Sequence, residues 1–190
     1  MEKPNTIAAF IRAFHLQSKF FIALGVCVVF FAISFRLPLI FPLAQTLLVA
    51  LMALTVTDLV LLFGSKGKLV AQRKTGKMLS LGDRNSLSLH VTNEMPLALK
   101  LSIYDELPIS LQRRDFAIDL QLVKNEKRTL TYTVTPFSRG EYHWGNTNLL
   151  ATTQIGLVAR LFKVHNAEMV PSFPSIIQMK KYELLAFEKT

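Results

Sequence analysis

The side chains able to bind a metal or activate a nucleophile are few and poorly spaced. His15, His90, His143 and His165 lie far apart in the chain, with none of the short ligand spacings that a zinc site uses. The one cysteine, Cys27, falls inside an apolar run with no base beside it, so its thiol is expected to be inert and a disulfide framework is excluded. Ser138-Arg139-Gly140 lacks the Gly-x-Ser-x-Gly frame of a nucleophile elbow. A phosphate-binding Walker lysine and a dinucleotide glycine pattern are both missing. Asp115 and Asp119 could share a face, but they stand in a charged loop stretch and read as solvated. No catalytic, cofactor-binding or metal-binding residue is expected, and the chain does not read as an enzyme.

The chemically unusual residue is Asp58, the one charge in residues 41–63 (FPLAQTLLVALMALTVTDLVLLF). Residues 20–35 (FFIALGVCVVFFAISF) carry none, and Arg36, Pro38 and Pro42 break the two runs apart. The pattern predicts two transmembrane helices joined by a tight turn. The first run covers about 24 Å against a hydrocarbon core of about 30 Å, so Lys19 and Arg36 would snorkel or residues 37–40 would add length. A carboxylate at a helix centre costs about 2.5 to 3.5 kcal/mol on insertion. Asp58 lies about 8 Å from the helix end, where the cost is lower. In an antiparallel hairpin Lys19 enters at the same depth, which makes Lys19 and Asp58 a candidate intramembrane pair; a contact with a partner membrane protein is the alternative.

Charge placement sets the side. The chain has a net charge of +9. Lys3, Arg12 and Lys19 precede the first run, Arg36 alone separates the two, and Lys66, Lys68, Arg73, Lys74 and Lys77 follow. By the positive-inside rule both ends face the cytoplasm, and the basic cluster would hold the following domain near an anionic leaflet. No aromatics interleave with these cations as a single-strand groove requires, so nucleic acid is not an expected partner. Before the first run, Ile7, Phe10, Ile11 and Phe14 recur at helical spacing beside Arg12, His15 and Lys19. They suit either a short helix in the headgroup layer or a frayed extension of the first span. No signal-peptide cleavage site follows residue 35, which predicts a retained anchor.

From Lys68 onward the period changes to two. Leu87, Leu89 and Val91 alternate with polar residues, as do Leu97, Leu99, Leu101 and Ile103 beyond the Asn93-Glu94-Met95-Pro96 turn. They predict a hairpin or a strand pair crossing between sheets. Leu130, Tyr132 and Val134 alternate with threonines up to Pro136; strands are also expected at 141–144, 157–164 and 167–173. Seven or so short strands without an amphipathic helix describe an antiparallel β-sandwich.

The order of these elements resembles the amino-terminal half of the domain-of-unknown-function 58 family. The resemblance rests on a membrane hairpin with a late acidic residue, Arg73 on the first strand, Leu81-Gly82-Asp83 and a strand ending in Asn93. Then come Tyr104-Asp105-Glu106-Leu107-Pro108, Tyr132 to Pro136, Ser138-Arg139-Gly140-Glu141-Tyr142 and Ile155-Gly156-Leu157. The chain departs from the family at Thr153-Gln154, where an Asp-Pro pair usually stands. Physically the motif residues read as structural. Gly140 supplies a turn, Pro108 and Pro136 end strands, Tyr142 and Trp144 pack a sheet face, and Arg139 caps carbonyls or pairs with Asp105. The resemblance implies a von Willebrand factor A-like domain, either beyond residue 190 or on another chain, and action beside a MoxR-type AAA ATPase in assembling or maturing protein complexes.

The expected protein is thus an α+β membrane protein, a two-helix transmembrane hairpin followed by an immunoglobulin-like antiparallel β-sandwich. Its parts are a cytoplasmic juxtamembrane segment (1–19), the hairpin (20–64), a cytoplasmic sandwich (65–175) and a linker (176–190). Its partners are the lipid bilayer of the inner membrane and other proteins, with no cofactor. The alternative is an adhesion-type sandwich outside the cytoplasm.

Overall fold

The computed structural model describes residues 6–111 and 117–174. Two consecutive apolar helices lead into a strand-rich domain. After a short helix α1 (Thr6–Ala13) and strand β1 (Phe14–Leu16), helix α2 runs over Ser18–Ser34 and α3 over Phe41–Gly64, joined by a 3-10 turn at Pro38–Ile40. Pro38 and Pro42 sit in first-turn positions, where a missing N–H costs nothing. Hydroxyls in these helices bond back to their own backbone, Thr55 Oγ1 to Leu51 O and Thr57 Oγ1 to Ala53 O, both at 2.8 Å. Such back-bonding keeps a threonine from presenting a bare hydroxyl on an apolar helix. The helices pack along Cys27, Leu24, Leu47 and Leu51. The segment Pro38–Gly64 is the one helix among the described residues long and apolar enough to cross a membrane; an 18-residue stretch of it has a mean hydropathy of 2.3 and is only 17% buried.

Ten more strands follow: β2 (Leu69–Lys74), β3 (Leu79–Ser80), β4 (Asn85–Asn93), β5 (Leu99–Asp105), β6 (Ala117–Leu122), β7 (Lys127–Val134), β8 (Gly140–Trp144), β9 (Thr147–Thr152), β10 (Val158–Val164) and β11 (Glu168–Phe173). They form a five-stranded sheet in the order β1-β10-β9-β5-β6 and two three-stranded sheets, β3-β11-β8 and β2-β4-β7. All pairings are antiparallel except β11 with β3. Alternate residues of every sheet, among them Leu89, Val91, Leu101, Ile103, Tyr142 and Leu149, meet in one hydrophobic cluster, and the domain is a mostly antiparallel β-sandwich. β4 and β5 lie in different sheets, so the Asn93–Pro96 turn is a crossing between sheets and not a hairpin.

Three sequence expectations change. Residues 14–16, expected in a juxtamembrane segment, form β1 and pair with β10, Phe14 opposite Arg160 and Leu16 opposite Val158. Helix α1 leans on the sandwich side, with the Phe10 ring 4.7 Å from that of Phe63. The stretch around Asp119, read as a charged loop, is β6, and Asp119 accepts a hydrogen bond from Ser102 Oγ at 2.5 Å. Asp115 and the linker 176–190 lie outside the described residues.

Candidate functional site

The site where the two halves of the chain meet is built from the last turns of α3 and the turn between β9 and β10. Leu62 is fully buried and belongs to the sandwich core, with Leu59 and Phe63 packed against it. Asp58, one turn earlier on the same face, is also fully buried. Its Oδ2 accepts the backbone N–H groups of Leu157 and Val158, both at 2.8 Å, and its Oδ1 accepts the hydroxyl of Thr153. Thr153 Oγ1 in turn accepts the Ile155 N–H at 3.1 Å. A buried carboxylate is costly unless its lone pairs are filled, and here consecutive amides of a strand start and one hydroxyl fill them. Gly156 takes φ +71° in this turn, a conformation that glycine adopts without strain. Leu157 and Ile155 then seat against the seam between α2 and α3.

The expected Asp58–Lys19 ion pair is not formed. Lys19 and Asp58 do not stand among the ion pairs of the described residues, because the turn's amides occupy the carboxylate. Lys19 lies beside the same turn, its Nζ 3.4 Å from where a Cβ on Gly156 would stand. The main chain ties the helix start to that turn too, through Gln17 N–H to Leu157 O at 3.0 Å. Arg160 closes the other flank: Nη1 donates to the Leu62 carbonyl at 2.9 Å, and its guanidinium lies over the rings of Phe63 and Phe162 at 4.9 and 4.5 Å. Burial lowers the pKa of Arg160 from its ordinary value. Sequence reasoning missed Arg160 and the amides that donate to Asp58. Backbone donors carry no residue signature, and Thr153 stood out only as a departure from the family pattern.

A second buried polar cluster holds the sandwich together. Arg73 on β2 grips Asp105 at the end of β5 with two nitrogens, Nε donating to Oδ2 at 3.0 Å. Asp105 also accepts the Tyr132 hydroxyl at 2.5 Å and Thr147 Oγ1 at 2.9 Å. Arg73 Nη1 donates to the Asn166 carbonyl at 2.8 Å. Burial, then the neighbouring Asp105 carboxylate, raises the Tyr132 pKa well above an ordinary phenol. Arg73 therefore leaves the cationic face that the juxtamembrane cluster was expected to present; Lys66, Lys68, Lys74 and Lys77 remain exposed. Arg139, the residue considered for Asp105, is exposed and forms no ion pair among the described residues.

The other motif residues act within the sandwich. Asn93 is fully buried; its Nδ2 donates to Leu97 O at 2.8 Å and Val123 O at 3.1 Å, while its Oδ1 accepts the Met95 N–H. Gly82, at φ +77°, donates its N–H to the Pro136 carbonyl. Gly140 has φ +132°. Tyr142 is buried, its hydroxyl donating to Ser138 O at 3.0 Å and its ring 6.4 Å from Trp144. Pro108 is buried at the start of a 3-10 turn over Ile109–Leu111 and accepts the Leu111 N–H. No group of histidines, cysteines and carboxylates that could hold a metal occurs among the described residues. His90 contacts Thr129 Oγ1, His165 contacts Asn146 Oδ1, and His143 lies 3.5 Å from Glu141.

No protein-family profile and no curated protein sequence matches the chain. Among solved structures, the chain is similar to the CARDB domain of the PF1109 protein from Pyrococcus furiosus, in complex with di-metal ions. Identity there is 15%, the TM-score is 0.38, and the match covers 57% of this chain and 94% of that one. It is similar to the ASH/PapD-like domain 7 of human CEP192 at 12% identity and TM-score 0.42, over 57% and 87% of the two chains. A β-glucosidase from Listeria innocua matches at 11% identity and TM-score 0.33, over 58% of this chain and 17% of its own. At these scores no function transfers from any of them.

Proposed function

We propose that the chain is a membrane-anchored, non-catalytic scaffold. In this reading α2 and α3 are a transmembrane hairpin in the inner membrane, both termini are cytoplasmic, and an immunoglobulin-like sandwich stands on the inner surface to hold or orient other proteins. The observation that carries the reading is the Asp58 junction. An apolar helix that leaves Val49, Met52, Val56 and Val60 exposed reserves its one carboxylate for the sandwich, so that the segment suited to lipid is fastened to the segment suited to water. Helix α2, with 17 residues, reaches about 26 Å. Snorkelling of Lys19 and Arg36 would close the difference from a hydrocarbon core of about 30 Å. The exposed Lys66 and Lys68 beside the helix end support the cytoplasmic side.

The motif order shared with the domain-of-unknown-function 58 family supports a partner class, a MoxR-type AAA ATPase, with the sandwich as adaptor. This part of the proposal rests on resemblance. Fusions after residue 190 of a reporter active only in the cytoplasm, and of one active only outside, test the topology. Cytoplasmic signal alone is expected, and outside signal alone would replace this reading with the adhesion-type one. Retention of a MoxR-type ATPase by the tagged full chain tests the partner; no retention from membranes that contain both would remove it.

A further inference from the structure

A groove opens beside the first turn of α2, between Gln17–Lys19 and the outer face of the five-stranded sheet. Its volume is 580 Å³, and its lining includes Lys19, Lys100, Ser102, Asp119, Gln121 and Thr152. The sheet register places these groups together. Lys100 on β5 stands opposite Gln121 on β6 and Thr152 on β9, and Ser102 stands opposite Asp119. Lys19 reaches in from the helix, close to the Gly156 turn.

The charges in the groove are unevenly matched. Asp119 already accepts the Ser102 hydroxyl, and Thr152 Oγ1 donates to the Lys100 carbonyl at 3.3 Å. Neither Lys19 nor Lys100 forms an ion pair with any described residue. Two ammonium groups against one carboxylate favour an anion, and the volume exceeds what a bare ion fills. The groove also lies where the chain passes from β1 into the apolar helix. On the membrane-anchored reading, on which this inference rests, that is the headgroup layer.

We propose that this groove binds the phosphate group of an anionic ligand through Lys19 and Lys100. Its position favours the phosphodiester of an anionic phospholipid as the source. The ligand phosphate sits between the two ammonium groups, and the rest of a headgroup lies along the polar outer face of β5 and β6.

The test uses the full chain purified in an uncharged detergent and titrated with phosphatidylglycerol, alone and in the presence of phosphatidylcholine or inorganic phosphate, with bound lipid read by native mass spectrometry. Phosphatidylglycerol is expected to bind saturably and phosphatidylcholine not to compete. Lys100→Gln and Lys19→Gln should each weaken binding about fivefold, the effect of one cation near an anionic headgroup. Competition by inorganic phosphate at similar concentration would assign the groove to a soluble phosphate compound and overturn the lipid source. Unchanged phosphatidylglycerol binding in both variants, each with wild-type thermal stability, would overturn the groove itself. Alkaline carbonate extraction of the same chains reads the anchor separately. Retention in the membrane without lipid selectivity sinks only this inference, whereas release from the membrane sinks the anchored reading.

Discussion

Asp58 Oδ2 and the backbone N–H of Leu157 are 2.8 Å apart across a sequence separation of 99 residues. This contact makes the end of an apolar helix part of the floor of the sandwich. Removing the carboxylate leaves the Leu157 and Val158 amides buried without a partner. Asp58→Leu is therefore expected to lower stability by about 2 to 4 kcal/mol, chiefly because two buried donors lose their acceptor, while membrane retention persists because the helix becomes more apolar. Asp58→Asn, whose amide oxygen still accepts, should fall between. Denaturation of the chain in detergent checks this, and a Leu variant as stable as wild type would show that the contact is dispensable.

The Arg73–Asp105 pair is buried on both sides. Arg73→Met or Asp105→Leu alone is expected to cost about 3 to 5 kcal/mol, since each strands a charge. The double variant should cost less than the sum of the two. A double-mutant cycle on chemical unfolding measures the coupling; additive losses would contradict the pairing.

Glu106 gives an acid-side signature. Burial tends to raise its pKa, but the Asn148 side chain and the Asn146 N–H, both bonded to its carboxylate at 2.8 Å, together lower it below the ordinary value. A depressed carboxyl pKa adds stability that is present above the unfolded pKa of about 4.3 and is lost as pH falls through the folded value. Glu106→Gln should therefore flatten the acid limb of a stability-pH curve while changing its neutral region less. An identical acid limb in the variant would contradict this assignment.

Gly67 sits in the link from α3 to β2 at φ +147°, and a Cβ there would lie 2.6 Å from the Glu94 carbonyl oxygen. Both atoms are fixed to the main chain, so neither can swing aside. Gly67→Ala should cost about 1 to 3 kcal/mol and shift the Lys68–Glu94 contact, where Glu94 N–H donates to Lys68 O at 3.1 Å. Thermal unfolding together with amide exchange at Glu94 reads both effects.

The helices and the strongly alternating strands could be read in the sequence because hydropathy and period record burial directly. Leu87, Leu89 and Val91, then Leu99, Leu101 and Ile103, all face the core. β9 was hidden by Leu150, which faces outward between the buried Leu149 and Ala151 and blurs the alternation. β6 was hidden by its outward Asp119 and Gln121. β1 is held by its pairing with β10, a tertiary constraint that three residues after a helix do not announce. Arg73 and Asp105 were each visible as motif residues, but not as partners. Asp58 was visible as an anomaly, yet depth matching pointed to Lys19, because the amides that donate to its carboxylate are defined by the backbone path and not by residue type.

On the membrane-anchored reading, the helix pair and the sandwich form one body at the bilayer, with Asp58 as the fastening. Pulsed electron-spin distances test it in the Cys27→Ala full chain reconstituted in lipid nanodiscs. One label goes at Gln45, exposed on α3, and one at Lys163, exposed on β10. A single narrow distance distribution that broadens on Asp58→Leu is the predicted result. A broad distribution with Asp58 intact would show that the two parts move independently and that Asp58 does not fasten them.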